Sequence, residues 1–238
     1  MTQRISPILL LATAVAASAC APASRRAVDD PTRVVVAGAQ AEAPHEVDLA
    51  AALHSGRMRL VNRDAQLFVE GGVQSIRVDE RDANGAAWID TTFTSGTLEV
   101  EVRGRNLRQR SFLGLAFAGA NDSTYEAVYL RPFNFHASDS AQSSHMVQYV
   151  AHTEFTWRLL REQHPGIYEN GIAPPPPAEE WVRLRLIVDD TLVRAYVNGA
   201  PSPSLTVRRL RPGASGRVGL WVGNPSPGDF RRVRFEAR

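Results

Sequence analysis

Alternation with a period of two is the feature that most constrains this chain. In Thr97-Leu98-Glu99-Val100-Glu101-Val102-Arg103, the apolar Leu98, Val100 and Val102 fall on one face and the charged residues on the other. A strand turns successive side chains to opposite faces, so this run builds a sheet with one buried side. Residues 181–188 repeat the pattern, and Asp189-Asp190 follows as a turn. Residues 192–197 then return, and Asn198-Gly199 supplies the strongest hairpin-type signal in the chain. Strands also fit 66–69, 73–78, 87–93, 125–131, 146–150, 217–222 and 230–235. Residues 112–117 are continuously apolar, as in a strand buried on both faces. Helical signal is confined to 154–164, where Thr153 is the expected cap. Glu154, Arg158 and Glu162 are spaced for i,i+4 pairing, and Pro165-Gly166 ends the run. Many short strands with one short helix specify an all-β sandwich or barrel.

Composition narrows the function classes. All 27 basic residues are Arg, which excludes a P-loop lysine, a Schiff-base lysine and a pyridoxal-phosphate lysine. A net charge of +2 gives no basis for nucleic-acid binding. The single Cys excludes an internal disulfide framework, a zinc ribbon and a CxxC redox centre.

That cysteine sits in a telling place. Arg4 precedes an apolar run over 8–17 that is too short to span a bilayer, and Ala17-Ser18-Ala19 lead into Cys20. The stretch resembles a bacterial lipoprotein signal. The resemblance implies cleavage before Cys20, lipidation of its thiol, and a lipid-anchored address at the cell envelope, on the periplasmic or extracellular side. The alternative is an ordinary signal cleaved after Ala19. The expected organisation is a signal peptide over 1–19, an Ala- and Pro-rich tether over 20–44 and one domain over 45–238.

Residues 132–180 break the rhythm of short strands. They are far longer than an ordinary connection and hold Phe133, Phe135, Tyr149, Phe155, Trp157 and Tyr168, a composition that suits a folded functional insertion. Four histidines, His136, His145, His152 and His164, lie there without metal-ligand spacing.

Several motifs then resemble known families. Phe93 to Val100 is similar to the F-x-x-G-x-hydrophobic-E strand of concanavalin-like jelly rolls, and 181–198 with 216–221 resemble later strands of laminin-G-like modules. The block 125–134, Val147-Gln148-Tyr149, 157–161 and Pro165-Gly166-x-Tyr168-Glu169 resembles secreted bacterial proteins labelled family-16-glycoside-hydrolase-like. That group lies near the 3-keto-disaccharide hydrolase domains. The resemblance covers about 58–238. It implies a two-sheet antiparallel jelly-roll sandwich of the concanavalin type, with one short helix in a long insertion, acting on or binding saccharides. Some laminin-G-like relatives hold a structural Ca²⁺, here near Asp122 or Asp229, but no calcium-loop motif stands there.

The chemistry is read from the residues. Family-16 glucanases set three acids on one strand; here the position after Glu99 and Glu101 on that face is Arg103, so that mechanism lacks its residues. The strand over 125–131 is more informative. Its odd positions put Tyr125, Tyr129 and Arg131 on one face, an apolar ring and a planar donor fork suited to sugar. Glu126 falls on the opposite face with Val128 and Leu130; if that face is the core, Glu126 is either a raised-pKa general acid or a buried ion pair. Asn134, Gln148, Trp157, Tyr168, Glu169 and Asn170 complete the candidate set, with Glu126 and Glu169 as the possible acids. Carbohydrate binding is the leading expectation. A hydrolase of a glycoside or 3-keto-disaccharide and a structural or protein-binding envelope module are the alternatives.

Overall fold

The computed structural model describes residues 45–238, so Cys20, the leader and the tether lie outside the described residues. The elements run β1 (His45–Glu46), α1 (Leu49–His54), β2 (Met58–Val61), β3 (Ala65–Glu70), β4 (Val73–Val78), β5 (Gly85–Phe93), β6 (Gly96–Arg103), β7 (Leu113–Gly119) and β8 (Tyr125–Leu130). After a 3₁₀ turn at Pro132–Asn134 come α2 (Ser140–Ser143), β9 (Val147–His152), α3 (Trp157–Gln163), β10 (Glu169–Asn170), β11 (Val182–Val188), β12 (Leu192–Val197), β13 (Leu205–Arg208), β14 (Gly216–Val222) and β15 (Gly228–Ala237). They form two antiparallel sheets. One has the order β13-β12-β11-β6-β15-β4-β3 with β1 beside β15; the other runs β10-β9-β8-β7-β14-β5-β2.

The alternation in β6 decides its orientation. Leu98, Val100 and Val102 are buried and pair with Leu186, Leu184 and Val182 of β11. Burying one such side chain stabilises the fold by roughly 1.5–3 kcal/mol. On the outer face Glu99 and Glu101 lie opposite Arg185 and Arg183. Strict alternation would set Arg232 and Arg234 on the other flank. A bulge between Arg231 and Arg234, with Arg232 at φ 52°, instead brings Arg231 opposite Glu101 and Arg234 opposite Glu99. Arg231 bonds Glu101 at 2.6 Å, and Arg232 reaches the same carboxylate at 3.4 Å.

β7 and β8 are buried at every position, because one face packs on the other sheet and large rings lie flat over small residues on the outward face. Leu115, Phe117, Val128 and Leu130 face the other sheet; Gly114, Ala116, Ala127 and Tyr129 face away from it. Residues 132–180 are not a free-standing insertion, since β9 and β10 extend this sheet at its edge. Within them α3 forms where expected, but its cap is Thr156, whose hydroxyl accepts from Leu159 N–H, not Thr153. Two further helices join the single expected one. α1 and α2, of 6 and 4 residues, are capped by Asp48 and Asp139. Such lengths are too short to print a helical period.

Candidate functional site

The outward face of the seven-stranded sheet carries an unbroken row of rings. Trp88 of β5 meets Tyr125 of β8 at 5.5 Å, and Tyr125 meets His152 of β9 at 5.1 Å. His152 stacks towards Trp221 of β14 at 6.4 Å, Trp221 lies 4.8 Å from Tyr129, and Phe112 closes the row 6.0 Å from Tyr129. Small residues make this possible. A Cβ on Gly219 or Gly119 would stand 2.7 or 2.8 Å from the indole of Trp88, so the ring lies directly on the backbone. The Trp221 indole N–H donates to the Tyr125 hydroxyl at 2.9 Å. Two buried donors on this face, Trp88 Nε1 and Gln148 Nε2, have no acceptor among the described residues.

At one end of the row sits a polar cluster. Tyr129 and Gln148 are cross-strand partners, and Glu169 of β10 pairs with Gln148 from the other side. The Tyr129 hydroxyl donates to Gln148 Oε1 at 2.9 Å. Arg131 donates to the Tyr129 hydroxyl at 3.0 Å, to Gln148 Oε1 and to Glu169 at 3.4 Å. Arg161 of α3 clamps Glu169 with contacts of 2.7 and 2.5 Å, and His145 Nδ1 lies 3.1 Å from the same carboxylate. Burial alone would raise the Glu169 carboxyl, but Arg161, His145 and Arg131 outweigh it and hold the carboxyl below its ordinary range. Burial pushes the His145 ring below its ordinary range, with the Glu169 charge pulling the other way. Trp157 lies outside this cluster under the Arg161 guanidinium, at 5.2 Å, and stays 42% exposed.

No family model and no curated protein matches the chain. Among solved structures it is similar to the carbohydrate binding module CBM66 from Bacillus subtilis, at 13% identity and a TM-score of 0.56 over 76% of this chain and 96% of that one. It is also similar to a Bacillus subtilis protein of unknown function with a galectin-like fold, at 14% identity and a TM-score of 0.50 over 77% and 91% of the two chains. The fold is a jelly-roll sandwich.

The jelly roll gathers only part of the expected set. Tyr129, Arg131, Gln148 and Glu169 converge, with Trp157 at their edge. Asn134 braces the loop behind them by donating to the His145 carbonyl at 2.9 Å. Asn170 ties β10 to the Ser204 carbonyl at 2.9 Å. Tyr168 faces the opposite side from Glu169 and stacks on Tyr149 at 5.7 Å.

Glu126 is walled off between the sheets. Arg209 donates to it at 2.7 Å and the Tyr149 hydroxyl at 2.5 Å, with both partners of the ion pair fully buried. Arg209 also satisfies the carbonyls of Thr94, Asp189 and Ala214. This is the buried ion pair, not a general acid facing a cleft. The Tyr149 hydroxyl is pushed far up by burial and by Glu126, so it remains a donor.

The implied calcium positions do not fit a metal. Asp122 is held by Arg59 and Arg217, and Asp229 by Arg77 and Arg103, so guanidinium groups stand where a cation would bind.

Trp88, Trp221 and His152 were absent from the expected site. Alternation within 217–222 does put Trp221 on the face of Gly219. Only the sheet order reveals that this face adjoins Tyr129.

Proposed function

We propose that this jelly roll is a saccharide-binding module that uses the outward face of its seven-stranded sheet and is held at a bacterial envelope by lipid on Cys20. The Tyr125–His152 end of the ring row carries the reading, because there a cleft opens beside rings that are otherwise packed shut. Aromatic ring edges at that cleft suit the C–H surface of a sugar, and the amides and hydroxyls lining it suit the sugar's own hydroxyls. The fold shared with a carbohydrate binding module supports the same conclusion. The anchor is supported by the Ala17-Ser18-Ala19-Cys20 junction.

Binding is favoured over hydrolysis by the state of the two candidate acids. Glu126 is sealed in its pair with Arg209, and Glu169 is held ionised by three partners, so neither is set to deliver a proton. The test is a glycan array probed with the mature chain carrying Cys20→Ser, followed by product analysis of every glycan bound. Retention of at least one glycan without cleavage is the expected result. An array without any hit overturns the saccharide reading, and released product overturns the preference for binding.

A further inference from the structure

The ring row has a second end. Beside Tyr125 and His152, away from Arg131, lies a cleft of about 230 Å³ whose walls include Asn62, Asn84, Ser123 and Thr153, with Val61 and Ala86 as apolar lining. Tyr125 and Tyr129 are four residues apart on one strand face, so the two ends stand ~13–14 Å apart.

The lining groups are of one chemical kind. Two amides, three hydroxyls and an imidazole each donate and accept hydrogen bonds, as sugar hydroxyls do. The one charged group in the lining is the Asp122 carboxylate, which is occupied by Arg59 and Arg217. Among the described residues no guanidinium lines the cleft, and Arg59 and Arg217 beside it are spent on Asp122, so a ligand carboxylate, sulfate or phosphate would find no open donor fork. Inward, the space is closed by Tyr125 and His152 packed against Trp88 and Trp221. A chain cannot continue along the row from here. The other end differs, because its cations are already committed to Glu169.

We infer that the saccharide enters this cleft, that one sugar ring fills it, and that the ring carries no charge. The inference rests on the saccharide reading and narrows it to a site and a ligand class. Val61, Ala86 and the ring edges meet the ring's C–H surface, while Asn62, Asn84, Ser123, Thr153 and His152 meet its hydroxyls.

Three of the four tryptophans make the test direct. Trp221 reports on the cleft through its bond to Tyr125, Trp157 marks the opposite end, and Trp181 lies on the other sheet between Arg103 and Arg231. The ¹⁵N-labelled mature chain with Cys20→Ser would be titrated with methyl glycosides of glucose, galactose, mannose and fructose, and with methyl glucuronide and galacturonide. The expected result is a shift of the Trp221 indole signal by an uncharged glycoside, with Trp157 and Trp181 unmoved. Ser123→Trp, on an exposed turn, blocks the mouth and weakens binding at least ~10-fold, whereas Trp157→Ala changes it less than ~2-fold. A shift at Trp157 alone overturns the site while leaving the saccharide reading intact. Tighter binding of the uronides overturns the ligand class. Failure of all glycosides together with an empty array overturns both readings.

Discussion

Glu126 and Glu169 show how little a buried carboxylate reveals until its partners are known. Both are nearly inaccessible, yet one is fixed in the core by a single arginine and a tyrosine, and the other is held by two arginines with His145 beside it. Removing Arg209 leaves an uncompensated charge between the sheets. Arg209→Met is therefore expected to cost ~3–5 kcal/mol in urea unfolding, and the double variant Arg209→Met with Glu126→Leu to recover most of it.

His152 makes a second prediction at this scale. Burial first, then the charge of Arg211, push its ring down to about 4 from 6.5. The unfolded chain takes up the proton first as pH falls. The stability that the neutral ring contributes is thus complete above 6.5 and is lost towards 4, on the order of 3 kcal/mol. His145, also pushed down, acts in the same direction. The difference in melting temperature between the wild type and His152→Phe should shift in favour of the variant between pH 7 and pH 4.5. A difference that stays constant across that range contradicts the assignment.

At the scale of elements, β6 and β11 are the most readable because their neighbours impose the same parity on them. Val100→Asp puts an unpaired charge into the core and should cost several kcal/mol, while Glu99→Gln should cost no more than ~1 kcal/mol. Chemical denaturation of both variants checks the register, since a slip of one residue would reverse their order. β15 was less readable. Its bulge at Arg232 brings Arg231 and Arg234 to the carboxylates of β6, and nothing in the alternation of 230–235 announces the extra residue. The start of α3 is similar. β9 pairs through His152, and the cap falls on Thr156, three residues past the expected Thr153.

For the whole molecule, the sheet order creates the candidate site. Positions 61, 86, 125 and 152 come from β2, β5, β8 and β9, which the order β10-β9-β8-β7-β14-β5-β2 lays across one face. The molecule's proposed attachment is tested apart from this face. In a bacterial host the full chain should partition with membranes and incorporate labelled fatty acid, because an acyl chain contributes ~0.8 kcal/mol of membrane affinity per buried CH₂. Cys20→Ser should abolish the labelling, and equal labelling of the variant would sink the anchor.

The sequence by itself determined the all-β class, most of the strands, the inward side of β6 and the face shared by Tyr125, Tyr129 and Arg131. These follow from period-two alternation and turn residues, which are local and need no neighbour. Only the tertiary structure decided that Glu126 meets Arg209, that Glu169 is clamped by Arg161 and that Trp88 and Trp221 join the ring row. Those contacts span 83, 8 and 96 positions along the chain for Arg209–Glu126, Arg161–Glu169 and Trp221–Tyr125. Even the shortest of them depends on where α3 packs against the sheet edge. Side-chain parity tells which way a residue points. What it meets there is set by the order in which distant strands pair, and that order is a property of the whole fold.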